Sequence, residues 1–269
     1  MKPKLSTRNL SKFFRKGGSS VEVLQDLNID IYEGEFVSIV GASGCGKTTF
    51  LRLVDGLIEP SSGTVSIDGE IVDRPGKNLS FVFQRDGLFP WRAVADNAAL
   101  GPEIAGQSMA HARSIGHRFL QLVGLSGFDQ HYPHELSGGM RQRVNIARAL
   151  SAGADVMLMD EPFAALDAQT REIMQSELLR IWQETRKTVL LVTHQIDEAV
   201  YLSDRVLIFT VRPGRLKQEV RIDLPRPRAL SIKRTAEFVR HTDIIWRAIE
   251  EEVQESIRRE SRSVASLHC

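Results

Sequence analysis

A chain of 269 residues is enough for one large domain, or one domain with a modest appendage, at roughly 150 residues per domain. With 26% charged and 42% apolar residues, disordered and fibrous classes are excluded. Its 35 basic and 34 acidic side chains leave a net charge of +1, so bulk charge makes no case for DNA, RNA or an anionic membrane, and any polyanion must be met locally.

In chain order, Leu27, Ile29 and Ile31 alternate with polar neighbours, and Glu33-Gly34-Glu35 turns the chain into an apolar run at 36–40. That predicts strand, turn, strand. Residues 64–72 alternate on both sides of Asp68-Gly69, a dipeptide suited to the positive φ of a tight hairpin, so an antiparallel element is expected here. Helical periodicity runs from about Asn97 to Gly124, and Gly138-Gly139 opens another amphipathic helix through Leu150. Short apolar runs at 156–159 and 189–192 suit buried parallel strands with covering helices, which makes the middle of the chain α/β. Residues 205–224 read as a strand pair around Arg212-Pro213-Gly214-Arg215, after which Pro225-Arg226-Pro227-Arg228 breaks the pattern. In the tail, Phe238, Ile245, Ile249, Val253 and Ile257 fall near helical spacing. At about forty residues the tail is short for a core of its own, so its apolar face is expected to pack on the rest of the chain, with a partner or a second copy as the other reading. No run approaches the ~18 uninterrupted apolar residues of a bilayer span, and residues 1–10, from Met1, lack the apolar centre of a signal peptide. Cys45 and Cys269 offer neither a disulfide framework nor a zinc spacing, and a soluble, cytosolic chain is expected.

Gly41, Ala42, Ser43, Gly44, Cys45, Gly46, Lys47 and Thr48 match the phosphate-loop pattern, between an apolar strand and a helical stretch that starts with Thr49. Glycines let successive N–H groups face phosphate oxygens, and the following helix presents its positive end there. Lys47 would neutralise the β and γ phosphates, and the Thr48 hydroxyl would coordinate Mg²⁺. Cys45 is read as a small loop residue. The run 156–159 ends in Asp160 and Glu161, at the strand edge where α/β sheets hold ligands. Asp160 would take the Mg²⁺ shell. Strand alternation aims Glu161 elsewhere, to orient and deprotonate the water that attacks the γ-phosphate. Leu136-Ser137-Gly138-Gly139-Met140 starts a second helix whose first turn can also receive an anion. Both helix starts could face one triphosphate in a monomer, or the second could serve a nucleotide held by another copy. His194 ends a further apolar strand within reach of a phosphate, although a histidine there is also an ordinary surface or capping residue.

Taken in order, the loop 41–48, Gln84, 136–140, Asp160-Glu161, Ala165-Leu166-Asp167 and His194 resemble the full motif set of an ATP-binding-cassette (ABC) ATPase subunit, over roughly residues 8–224. The Leu-Ser-Gly-Gly signature separates it from phosphate-loop kinases and small GTPases. The resemblance implies an α/β phosphate-loop NTPase core with an antiparallel β-subdomain and an α-helical signature subdomain. The ABC domain would span 5–224, with the helical subdomain at about 86–155 and a C-terminal helical extension over 225–269. Two copies are expected head to tail, the 137–140 segment of one covering ATP on the phosphate loop of the other and Asp167 bridging the seam. Family roles would place Gln84 on Mg²⁺ and the attacking water, His194 on the γ-phosphate, and Phe14, or its neighbour Phe13, on the adenine ring. Ordinary packing is the alternative for Phe14.

Phe89-Pro90-Trp91, Tyr132-Pro133-His134, Met140 where many relatives carry glutamine, and the Pro-Arg-Pro-Arg stretch are similar to the nitrate, sulfonate and taurine-type importer ATPases. That implies a peripheral subunit on the cytoplasmic side of the inner membrane, turning ATP and water into ADP and phosphate to energise uptake of a small anionic or polar solute. It would dock on separate permease subunits through Leu88, Phe89 and Trp91 and be served indirectly by an external solute-binding protein. A buried core position is the alternative for Trp91. Gln195 after the histidine, and Arg85-Asp86-Gly87 after Gln84, depart from the subgroup pattern. A soluble ABC ATPase acting on nucleic acid or ribosomes is the rival; one cassette, a charge of +1 and no coiled-coil insertion argue against it. A phosphate-loop kinase would leave the signature helix unexplained.

Overall fold

Segments on either side of residues 36–54 build an antiparallel sheet. β1 (Leu5–Lys16) pairs with β2 (Ser19–Ile31) and with β4 (Ser62–Ile67), and β5 (Glu70–Ile71) extends it to the order β2-β1-β4-β5. The register sets Ile31, Leu5 and Ile67 side by side as a buried apolar row, the cross-strand unit that stabilises a sheet. Buried Thr7 stays compatible with that core because its hydroxyl donates to the Leu27 carbonyl and accepts from the Ile29 N–H. Between β4 and β5, Asp68 and Gly69 take φ of 54° and 87°, the turn expected from that dipeptide.

The computed structural model describes residues 2–16, 19–76, 78–84, 87–164 and 166–265, with the side chains of 16, 19 and 256–265 set aside. Met1, Arg85, Asp86, Ala165, Cys269 and the side chain of Ile257 therefore lie outside the described residues. The chain forms two compact units, 1–74 with 191–269, and 75–190.

In the first unit, β3 (Phe36–Val40) is buried at every position and pairs in parallel with β9 (Arg205–Phe209), which pairs antiparallel with β10 (Leu216–Arg221). A strand buried on both faces needs apolar residues without alternation, as Phe36, Val37, Ile39 and Val40 supply. α1 (Lys47–Val54) follows β3, and α7 (Ile196–Leu202) precedes β9. α8 (Ala236–Ala265) buries Phe238, Ile245 and Ala248 and packs on α7, β9 and β10, so the tail does cover its own domain. Each such Phe or Ile contributes about 1.5–3 kcal/mol when fully buried.

In the second unit, β6 (Leu79–Val82) pairs in parallel with β7 (Val156–Asp160). Its helices are α2 (Val94–Ala98), α3 (Leu100–Ile104), α4 (Met109–Leu122), α5 (Gly138–Ser151) and α6 (Ala168–Thr185). The periodic stretch read from about Asn97 to Gly124 is helical in type but comprises three helices. Gly106, at φ 82°, stops the chain after α3, and the Ser108 hydroxyl restarts it by accepting the His111 N–H as the cap of α4. The chain returns to the first unit within β8 (Thr188–Val192). Among the described residues, no helix is long and apolar enough to cross a membrane.

Candidate functional site

β3 delivers the chain into the loop 41–46, and α1 begins at Lys47. Gly46 holds φ 107° at the cap position, and a Cβ there would stand 2.6 Å from Leu24 Cδ2, so only glycine lets the loop turn this close to β2. α1 has neither a side-chain cap nor an acid in its first turn, which leaves its positive end addressed to an incoming anion. The Lys47 ammonium is buried and folds back over the loop, donating to the carbonyl oxygens of Gly41 at 2.8 Å and Ala42 at 3.1 Å. A charged phosphate oxygen is the stronger acceptor and can replace those carbonyls. Ser43 and Gly44 are exposed at the rim, while Thr48 and Thr49 are half-buried in the first turn. Burial pushes the Cys45 thiol up, so it sits neutral as the small residue expected. Converging donors and one cation fit a polyphosphate.

His194 belongs to the same unit. The Thr193 N–H donates to the Ile39 carbonyl of β3 at 3.2 Å, which stands exposed His194 beside the end of β3 where the loop starts. Thr193 also accepts the Gln195 N–H through its hydroxyl, a local turn that ends the strand. Phe14 and Phe13 are both exposed near the end of β1, with the Lys12 ammonium over the Phe14 ring and the Arg15 guanidinium over that of Phe13. Neither ring is a core residue.

The second unit carries the carboxylates. Asp160 is the buried last residue of β7. Glu161 leaves the strand with a left-handed φ of 46°, so it is this backbone kink, and not strand alternation, that redirects its side chain. The Gln84 amide donates to Glu161 Oε2 at 3.3 Å, bringing together two residues 77 positions apart in sequence. Ser137 caps α5 by accepting the Met140 N–H at 3.3 Å, with Ser137 and Gly138 exposed and Gly139 and Met140 half-buried. Asp167 caps α6, and the Thr170 N–H that it accepts at 3.0 Å holds its carboxyl below the usual value.

Leu88 is buried, Phe89 and Trp91 stack with centroids 5.2 Å apart, and Trp91 is 72% exposed, which removes a core role for it. Buried Asn97 builds this segment: its amide accepts the Phe89 N–H and donates to the carbonyls of Phe89, Arg92 and Ala93, while Arg148 donates to the Gly87 carbonyl. The sequence reading missed Asn97, because an asparagine inside an apolar helix does not announce which carbonyls it serves.

The family model for the ABC transporter matches residues 24–164. An uncharacterised ABC transporter ATP-binding protein of Methanocaldococcus jannaschii is 49% identical, covering 96% of each chain. The chain belongs to the ABC transporter family. The nitrate import ATP-binding protein of Synechocystis is 44% identical to this ABC ATPase, covering 90% of this chain and 93% of that one. The taurine import ATP-binding protein of Jannaschia is also 44% identical, over 81% and 82%. A solved ATP-binding cassette, dimeric and in a post-hydrolysis state with ADP and phosphate, aligns with a TM-score of 0.73 at 33% identity, covering 82% of this chain and all of that one. This ABC ATPase thus has the phosphate-loop ABC fold, with the antiparallel β-sheet and the helical signature region expected, and it binds and hydrolyses ATP.

Proposed function

We propose that two copies of this ABC ATPase form the motor of an importer for a small anionic or polar solute of the nitrate, sulfonate or taurine class. The import relatives support that class, since each is 44% identical to this chain, the nitrate one over 90% of it and the taurine one over 81%. The observation that carries the catalytic reading is the Gln84–Glu161 contact at the end of β7, where a kinked backbone holds a carboxylate against an exchangeable amide.

In this reading the loop 41–46, Lys47, Thr48 and Thr49 hold the phosphates, Phe14 stacks on the adenine, and His194 contacts the γ-phosphate. Thr48, Asp160 and Gln84 would hold Mg²⁺, which would neutralise phosphate charge when bound. Glu161 takes the proton of the attacking water. Ser137, Gly138, Gly139 and Met140 of one copy cover the nucleotide of the other, and Asp167 lies at their seam. Leu88, Phe89 and Trp91 receive the permease subunits at the cytoplasmic side of the membrane, and an external solute-binding protein feeds the permease. Nucleic acid has no part in this reading, in keeping with a net charge of +1.

Glu161→Gln tests it. The amide keeps size and backbone preference but cannot accept a proton at neutral pH, so phosphate release should fall by about 10²–10⁴ with ATP binding retained. Turnover at the parental rate would remove Glu161 from the role.

A further inference from the structure

We infer that Arg212, at the tip of the hairpin joining β9 and β10, is a positioning residue for the phosphate loop, and that α8 holds it in place through Glu252. The inference deepens the phosphate-loop reading and rests on it.

The tip lies directly on the loop backbone. Gly214 is tied to β2 on both sides, its N–H donating to the Val23 carbonyl at 2.8 Å and its carbonyl accepting the Gln25 N–H at 3.0 Å. A Cβ at Gly214 would stand 2.2 Å from the Cys45 carbonyl oxygen, so glycine is what permits this approach. From there the Arg212 guanidinium donates to the Gly44 carbonyl through Nη2 at 3.1 Å and Nε at 3.3 Å. Among the described residues, no carboxylate pairs with Arg212; a loop oxygen is its acceptor.

The consequence follows from peptide geometry. In a trans peptide the C=O and the N–H point opposite ways, so fixing the Gly44 oxygen also fixes where the Cys45 N–H is aimed. That N–H now makes a long bond, 3.3 Å, to the Ala42 carbonyl, which a phosphate oxygen can replace. A loop whose donors are already aimed loses less entropy on binding.

Behind Arg212 stands α8. The Val211 N–H donates to Glu252 Oε2 at 3.2 Å, and the same carboxylate pairs with Lys217 of β10 at 3.1 Å. Lys217 in turn donates to the Ala248 carbonyl at 2.9 Å. A continuous set of bonds therefore runs from α8, through adjacent residues 211 and 212, to Gly44.

The test is ADP titration calorimetry on the full-length chain, with ADP chosen because it binds without turnover. Arg212→Ala should weaken ADP binding about three- to tenfold, while the nucleotide-free unfolding midpoint stays put because the guanidinium is exposed. Arg212→Lys, with a single donor group, should recover part of the affinity. Glu252→Ala should weaken binding in the same direction by a smaller factor, and the double variant should be no weaker than Arg212→Ala alone, since both act on one carbonyl. Parental affinity in Arg212→Ala, or losses that multiply in the double variant, would overturn the inference. Lys47→Ala in the same series separates the two layers. If it abolishes binding while Arg212→Ala changes nothing, only the brace fails; if it binds as the parent does, the phosphate-loop assignment beneath it fails.

Discussion

Asp55 carries a charge where two rules oppose it: it is buried, and it caps the C-terminal, negative end of α1. Burial pushes its carboxyl up from 3.8 to about 6. Because the folded chain then holds the proton more tightly than the unfolded one, stability is highest below about pH 4 on this account, falls through pH 4–6, and is level above. At neutral pH the penalty is about 2–3 kcal/mol. Asp55→Asn should therefore stabilise the chain, and denaturant titrations should find a wider gap between variant and parent at pH 7.5 than at pH 4.5; equal gaps would mean the carboxylate is solvated. The same scale shows what a sequence can disclose. The phosphate loop was legible because its chemistry is local, glycines and a lysine acting on their own backbone. Arg212 was not, because its acceptor, Gly44, lies 168 positions away and is a carbonyl, which every residue possesses.

The Pro225-Arg226-Pro227-Arg228 stretch, read in sequence as a break, is the clasp of α7. Helix ends leave carbonyls unsatisfied, and Arg228 Nη1 donates to those of Val200, Tyr201 and Ser203, while Nη2 reaches Ile222 and Leu224. Arg226 serves Leu202 and pairs with Asp204, and the Tyr201 hydroxyl closes the arrangement on the Arg228 carbonyl. Arg228 is 5% exposed, and burial pulls its pKa down to about 10. Arg228→Met keeps the bulk but strands those carbonyls, so unfolding in urea should show a loss of about 3–5 kcal/mol; a loss under about 1 would mean that water replaces the guanidinium. Among elements, the hairpin at Asp68-Gly69 and the buried strands β3, β7 and β8 were legible from pattern. β1 was not, because register shifts between Thr7 and Leu10, Leu10 and Lys12, and Lys12 and Phe13, with Asn9 at φ 47°, erase its period of two. The helices α2 to α4 read as one because short breaks at small residues hardly disturb a 3.6-residue period.

For the molecule as a whole, motif order carried the family, whereas no motif names a solute, whose contacts the proposed reading assigns to the permease and the solute-binding protein. The dimer offers the whole-molecule prediction. Light scattering on Glu161→Gln should give about twice the chain mass with ATP and the single mass with ADP, because in the proposed arrangement the unhydrolysed triphosphate is what supplies acceptors to both copies. A single mass in both conditions would exclude nucleotide-driven pairing.

The chain order of the first unit has a consequence for synthesis. Val37 of β3 stands opposite Arg205 of β9, with the whole second unit encoded between them. At roughly 5–20 residues per second, a ribosome takes on the order of ten to thirty seconds to deliver that neighbour. Until β8 and then β9 emerge, the polypeptide carries the uncovered run Phe-Val-Ser-Ile-Val with both edges open. Slowed translation would lengthen its vulnerability to chaperone capture and to misassociation with other nascent copies.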